Sequence, residues 1–130
     1  EMGAKRAVML PVSAPFHSPL LEPAGIRLKE ELEKIRIKAP IIPVVNNVYA
    51  KAEDNPAQIK ENLIRQVSSP VRWEESVRYM MSQGIDIFVE VGPGRALNGF
   101  LRKISRDIKG YNVQDMASLE KTLQGLEDAI

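Results

Sequence analysis

Apolar residues cluster in four short runs that predict β-strands. The runs lie at residues 7–12, 41–45, 85–91 and, more briefly, 111–113. Compact runs of this kind, bounded by Gly, Pro or Asn, are typical of strands buried within a sheet. Pro11 cannot donate a hydrogen bond to a neighbouring strand, so the first strand is expected to end there or to lie at an edge.

Between these runs, apolar residues recur every three or four positions, which predicts five helices. In chain order they cover residues 19–34, residues 56–67, the segment between Ser69 and Gly84, the segment after the turn 92–94, and the chain from Asp115 onward. Asn55 before Pro56 and Ser69 before Pro70 are candidate caps, because such side chains accept hydrogen bonds from the first helical amides. Strands that alternate with helices predict an α/β fold with a largely parallel sheet.

Composition narrows the class of protein. The 130 residues suffice for one domain, and a net charge of +1 gives no support to nucleic-acid binding. The absence of cysteine excludes disulfides and thiolate sites, and a single histidine argues against a transition-metal centre. No apolar run approaches the length of a membrane span, and the N-terminus has no signal-peptide core, so a cytoplasmic protein is the default expectation.

The single histidine, His17, is the first candidate for chemistry. It lies in a loop after a predicted strand, between Pro15 and Pro19, which restrict the backbone of the loop. Imidazole exchanges protons near neutral pH and is therefore suited to general acid–base catalysis. A structural or surface histidine is the ordinary alternative for a loop position. The residues alone leave both open.

A nucleophile for such a base is not evident in the sequence. Ser13 and Ser18 are close to His17 along the chain, but neighbouring residues rarely direct their side chains at each other. None of the serines lies in a G-x-S-x-G turn, the strained element that exposes a serine hydroxyl above a sheet. His17 is therefore a candidate base for which the sequence shows no nucleophile.

Other polar features have structural explanations beside functional ones. The turn Gly92-Pro93-Gly94 lacks the spacing of a phosphate-binding loop and is more typical of a helix start. Glu90 could orient His17 as the carboxylate of a triad does, but a hydrogen bond to local backbone is the commoner role. Five basic residues could form a patch for an acidic partner, or simply a solvated face: Lys5, Arg6, Arg102, Lys103 and Arg106.

Four motifs occur in an order that resembles the malonyl-CoA:acyl-carrier-protein transacylase family. They are V-S-A-P-F-H-S-P-L at 12–20, P-V-V-N-N at 43–47, R-Q-x-x-x-P-V-x-W at 65–73 and E-V-G-P-G-x-x-L at 90–97. The resemblance runs from about Gly3 to the C-terminus. The acyltransferase domains of polyketide and fatty-acid synthases share F-H-S-P, whereas the G-P-G turn and the P-V-x-W form are closer to the stand-alone bacterial enzyme.

The resemblance implies transfer of malonyl from coenzyme A to the phosphopantetheine thiol of acyl carrier protein, through a serine ester and without a bound cofactor. His17 matches the general base, later the acid, and the backbone carbonyl of Gln66 matches the group that orients it. Phe16 matches a position associated with malonyl selectivity. Lys5, Arg6, Arg102 and Lys103 are the candidates for carrier-protein docking. The fold implied is a three-layer, hydrolase-like parallel sheet with helices on both faces.

The family's G-H-S-x-G serine, its malonyl-binding arginine and its oxyanion-hole glutamine have no counterpart in this sequence. We therefore expect the chain to be the C-terminal part of the enzyme, inactive without the N-terminal part as its partner. Residues 1–12 are expected to end a small ferredoxin-like subdomain, and residues 13–130 to belong to the large one. A polyketide-synthase acyltransferase module and a non-catalytic α/β interaction fragment are the alternatives.

Overall fold

The computed structural model describes Gly3, residues 7–9 and residues 12–128. A 3-10 turn at Pro19–Leu21 precedes all other elements. These are α1 (Glu22–Glu33), β1 (Val44–Val45), β2 (Ala52–Glu53), α2 (Pro56–Gln66), α3 (Trp73–Ser82), β3 (Ile87–Val91), α4 (Ala96–Ile104), β4 (Lys109–Val113) and α5 (Met116–Glu127). The short strands β1 and β2 pair with each other, and β3 pairs with β4.

The chain divides into two compact units, of which the first comprises residues 1–44 and 53–71. Its described part is built on the packing of α1 against α2. Gly25 of α1 is buried at this contact, and a Cβ built there would lie 3.4 Å from the Ile64 carbonyl oxygen, which is ordinary van der Waals contact. At the start of α2, the Asn55 side chain accepts hydrogen bonds from the amides of Ala57 and Gln58. The predicted Asn55-Pro56 start is therefore confirmed.

The second unit, residues 45–52 and 72–130, contains the parallel sheet. Strand β3, helix α4 and strand β4 form a βαβ unit, with Ile87 opposite Lys109 and Val91 opposite Val113. Helices α4 and α5 both contact β4, and α3 contacts α4. Val77 of α3 and Leu101 of α4 form the buried centre, at 0% and 3% exposure. The α/β class and the parallel pairing predicted from the sequence are confirmed.

Helix α3 begins three residues later than Ser69 and Pro70 indicate. Its first residue is Trp73, and the prediction that Ser69 caps it is wrong. The backbone amide of Arg72 donates to the Asn47 carbonyl oxygen at 3.0 Å, which holds residue 72 outside the helix. A bond to a distant segment has therefore overridden a local capping signal.

Two predicted strands differ from the structure. Of residues 41–45 only Val44 and Val45 are in a strand, and Ile41 is fully exposed rather than buried. Pro40 precedes the run and Pro43 lies within it, and both lack the amide hydrogen that strand pairing requires. Residues 7–9 and 12 are not in a strand either, and residues 10 and 11 lie outside the described ranges, so the division of the chain at residue 12 stays a prediction.

Candidate functional site

His17 lies in the loop that precedes the 3-10 turn, with its side chain exposed. Its φ of 58° falls in the left-handed region, which is uncommon for a residue other than glycine. Local hydrogen bonds fold the loop back on itself around this residue. The Ser18 hydroxyl donates to the Pro15 carbonyl at 2.7 Å, and the Phe16 amide donates to the Ala14 carbonyl at 2.9 Å.

The end of helix α2 provides the partner of His17. Its Nδ1 atom lies 3.0 Å from the backbone carbonyl oxygen of Gln66, the last residue of that helix. The final carbonyls of a helix have no partner within it and are open to other donors. Those of Ile64 and Arg65 accept from the next turn of backbone, at 3.3 Å and 3.2 Å, whereas that of Gln66 accepts from the imidazole. The structure thus brings together two residues 49 positions apart.

This contact determines which ring nitrogen carries a proton. A carbonyl oxygen can only accept a hydrogen bond, so Nδ1 must be the donor and carry hydrogen. In the neutral ring, Nε2 then bears the lone pair and is the atom able to take a proton. The geometry is that of an oriented general base.

The neighbouring serines do not complete the site. Within the described part of the first unit, no serine hydroxyl is hydrogen-bonded to His17, and that of Ser18 is directed at Pro15 instead. Phe16, immediately before the histidine, exposes 61% of its surface. The His17 loop therefore exposes an aromatic ring and an imidazole at consecutive positions, and no described serine of this unit is bonded to the imidazole.

Glu90 lies at the end of β3 and has a local role. Its carboxylate accepts from the amides of Leu97 and Asn98, at 3.2 Å and 2.9 Å, and from the Asn98 side chain. The Asn98 amide, together with that of Leu97, lowers the pKa of the Glu90 carboxyl more than burial raises it. Asn98, which the sequence did not single out, also donates to the Tyr111 carbonyl at 2.7 Å. Glu90 thus anchors the start of α4.

The turn between β3 and α4 is likewise held by the protein's own groups. The Gly94 amide donates to the Gln114 side chain at 3.0 Å, and the Asn112 side chain donates to the Gly94 carbonyl at 2.8 Å. Gly92 and Gly94 both have positive φ, which explains why glycine occupies these positions. This network fits a structural turn rather than a phosphate cradle.

Of the five basic candidates, two lie on α4, Arg106 follows the end of that helix, and two lie outside the described ranges. Arg102 and Lys103 are exposed in the last turn of α4, where the Lys103 ammonium lies 5.8 Å from the centre of the Phe100 ring. Lys5 and Arg6 lie outside the residues that the structure describes. Over the described part of the chain, no three His, Asp or Glu side chains form a group able to hold a metal ion, and no helix is long and apolar enough to cross a membrane.

Solved structures define the class of protein to which this fold belongs. The acyl-carrier-protein S-malonyltransferase of Burkholderia pseudomallei superposes with a TM-score of 0.87 at 47% identity, over 94% of this chain and 40% of that one. A malonyl-transacylase solved in complex with a type II polyketide-synthase acyl-carrier protein also gives 0.87, at 42% identity over 95% of this chain and 40% of that one. The chain is therefore an α/β segment of the acyltransferase class.

Sequence relatives identify the family within that class. The chain is 44% identical to the malonyl CoA-acyl carrier protein transacylase of Bacillus subtilis, over 98% of its own length and 40% of the relative's. It is 43% identical to that of Escherichia coli K12, over 94% and 40%. No model of a known protein family matches it. The chain corresponds to a part of the malonyl CoA-acyl carrier protein transacylases and spans about 40% of their length.

Proposed function

We propose that this chain supplies the general acid–base histidine of a malonyl transfer from coenzyme A to acyl carrier protein. The observation that carries the proposal is the hydrogen bond between Nδ1 of His17 and the Gln66 carbonyl oxygen, which leaves Nε2 as the basic atom. The Gln66 carbonyl oxygen carries no formal charge, but as a hydrogen-bond acceptor it keeps the proton on Nδ1, as the carboxylate of a catalytic triad does. Glu90 is not needed in this arrangement, because its carboxylate is bonded to the start of α4.

Each half of the transfer uses the same nitrogen. In the first, a serine hydroxyl supplied by another part of the enzyme gives its proton to Nε2 of His17 while its oxygen attacks the malonyl thioester. The carbon–sulfur bond then breaks, and Nε2 returns the proton to the departing thiol. In the second, the phosphopantetheine thiol gives its proton to Nε2, attacks the serine ester, and the serine oxygen recovers the proton. Over the two half-reactions the proton and the acyl group are both conserved, so no cofactor is required.

Phe16 and the basic end of α4 extend the proposal to the substrates. The exposed ring of Phe16, directly before His17, would crowd a branched acyl group and so favour malonyl over methylmalonyl. Arg102 and Lys103, together with Lys5 and Arg6, would attract an acidic surface of the carrier protein. We therefore expect Phe16→Ala to raise the relative rate with methylmalonyl-CoA, and Lys103→Glu to raise KM for carrier protein without lowering kcat.

The central test replaces the base in the whole enzyme that contains this segment. We expect His17→Ala to lower kcat/KM for malonyl transfer about 10²–10⁴-fold, as loss of a general base does. The matched control is Gln66→Ala, which removes the side chain but keeps the carbonyl that accepts from Nδ1. It should change the rate by less than about threefold, because only the backbone group takes part. A similar small change for His17→Ala would show that the base is misassigned.

A second expectation concerns the 130 residues alone. Because no serine of the sequence lies in a G-x-S-x-G turn, the isolated chain should form no malonyl ester when incubated with radiolabelled malonyl-CoA. Recovery of label in the protein would contradict this. A coding sequence that continues upstream into G-H-S-x-G supports the enzyme, whereas its absence would favour the non-catalytic interaction fragment.

A polyketide pathway is the second candidate, favoured by one observation. A solved relative of this chain is the malonyl-transacylase of a type II polyketide-synthase acyl-carrier protein, at 42% identity. The fatty-acid and polyketide alternatives differ in the carrier protein served, not in the chemistry at His17. Comparing kcat/KM of the whole enzyme with carrier proteins of the two kinds would distinguish them.

A further inference from the structure

A cleft in the second unit brings three cationic side chains around one small cavity. Arg95 directly precedes α4, and Arg102 lies in its last turn, so the two are seven residues apart on one helix face. Lys121 approaches from α5, and Gly110 of β4 contributes the floor. The cleft is open to solvent and has a volume of about 180 Å³, and none of the described residues that line it is Asp or Glu.

These cations lack the partners that other basic residues of the chain possess. Among the described residues, ion pairs occur within or beside α1, α2 and α3, for example Lys29 with Glu33 and Arg78 with Glu74, four positions apart. Arg102 and Lys121 have no acidic residue three or four positions away on their own helices, and neither forms an ion pair within the described ranges. Their charges are therefore available to a ligand.

Several uncharged polar groups of the cleft are engaged with the protein itself, whereas the side-chain oxygens of Asn98 and Asn112 are buried without a hydrogen-bond partner among the described residues. The Thr122 hydroxyl donates to the Asn112 carbonyl at 3.2 Å, and the Ser118 hydroxyl donates to Asp115. Asp115 interacts electrostatically with Arg95 and offsets part of its charge, but it is not a lining residue and its carboxylate also accepts from the Ser118 amide. Arg102 and Lys121 consequently leave the cleft with an excess of positive charge.

We propose that this cleft binds a phosphate group. Its volume is well below the roughly 300–1,000 Å³ of pockets for drug-sized ligands, which suits a compact anion. Arginine presents a planar fork of donors that matches phosphate oxygens, and lysine adds a point charge. Donors on α4 and α5 approach from two sides, as a tetrahedral oxyanion with several acceptor oxygens requires. The site involves neither His17 nor Gln66, and it shares only Arg102 with the basic residues proposed for carrier-protein docking.

The test is a titration of the full chain with inorganic phosphate, followed by amide shifts in two-dimensional NMR spectra. We expect saturable shifts at Asn98, Gly110 and Thr122, which titration with chloride at equal ionic strength does not reproduce. A parallel titration with glycerol 3-phosphate distinguishes the source of the phosphate. Tighter binding of this probe would indicate a phosphate monoester as the ligand, and equal or tighter binding of inorganic phosphate would indicate the free ion; either supports the site.

Matched variants separate the cleft from general surface charge. Arg102→Gln and Lys121→Gln should each weaken phosphate binding at least about tenfold, the usual effect of losing a charged hydrogen-bond donor. Arg106→Gln and Lys103→Gln make the same charge changes outside the lining and should leave binding within about twofold. All four are exposed, so the dispersed NMR spectrum of the fold is the control. The proposal would be overturned if all four variants weakened phosphate binding equally. It would also be overturned if the amide shifts failed to saturate with both probes.

Discussion

The contact between α5 and Tyr111 makes Gly125 a sensitive probe of the second unit. The Tyr111 hydroxyl donates to the Gly125 carbonyl at 2.7 Å, which brings the ring against the helix at this residue. A Cβ added to Gly125 would lie 3.0 Å from Cζ and 3.1 Å from the hydroxyl oxygen of that ring, and closer still to Cε1. The ring is held at both ends, by β4 and by its hydrogen bond, and must move to admit a methyl group.

For Gly125→Ala the steric cost and the helical preference of alanine oppose each other. Overpacking costs about 1–3 kcal/mol and a lost hydrogen bond about 0.5–1.5 kcal/mol, whereas alanine gains about 1 kcal/mol over glycine within a helix. We therefore expect the free energy of unfolding to fall by about 0.5–3.5 kcal/mol. Urea denaturation followed by circular dichroism measures this change, provided that the slope of the transition stays the same.

Gly99 provides the matched control for this prediction. It also lies within a helix, α4, but no atom outside that helix's own backbone and its chain neighbours lies within 4 Å of a Cβ built there. Gly99→Ala should thus stabilise the chain by up to about 1 kcal/mol. The two substitutions are chemically identical and are expected to have opposite signs. If Gly125→Ala proves as stabilising as Gly99→Ala, the assigned packing of Tyr111 against α5 is incorrect.

Two further predictions concern helix starts. Asn55→Ala removes the acceptor of the Ala57 and Gln58 amides and should cost about 1 kcal/mol in urea denaturation, whereas Asn55→Gly should cost only a few tenths, as is usual for helix caps; equal losses would contradict the capping role. Glu90→Gln should destabilise the chain at neutral pH and have progressively less effect on acidification. The pKa of Glu90 is lowered in the folded state, so its contribution is present above the unfolded pKa and is lost as pH falls through the folded one. Glu30→Gln on the exposed face of α1 is the control, and a difference that persists unchanged at acidic pH would refute the assignment.

Local signals made the helices predictable and left the strands uncertain. Two helix starts are predicted by capping residues whose side chains bond to the next few amides, Asn55 before Pro56 and Asp115 before α5. The structure contains both caps. Strand formation at residues 41–45 depends on partners distant in sequence, which a run of apolar residues cannot specify. The start of α3 depended on a similar long-range bond, between Arg72 and Asn47.

The candidate site shows the same division. The prolines around His17 indicated a restrained loop, but nothing local connects it to Gln66, which lies 49 residues further along. That pairing followed from the resemblance to a family rather than from spacing. The cationic cleft could be predicted only in part. The spacing of Arg95 and Arg102 places them on one helix face, but their convergence with Lys121 depends on how α4 and α5 pack against β4.

The hydrogen bond between Nδ1 of His17 and the Gln66 carbonyl fixes the tautomer of the ring and contributes to holding the backbone of the loop. A left-handed backbone costs a residue other than glycine about 1–2 kcal/mol. An exposed hydrogen bond returns about 0.5–1.5 kcal/mol, and the bonds from Ser18 to Pro15, from the Phe16 amide to Ala14 and from Nδ1 to Gln66 together offset this cost. Releasing the Gln66 carbonyl would therefore free the ring to change tautomer and at the same time free the loop to relax. The end of α2 thus controls both where the imidazole lies and which of its nitrogens is basic.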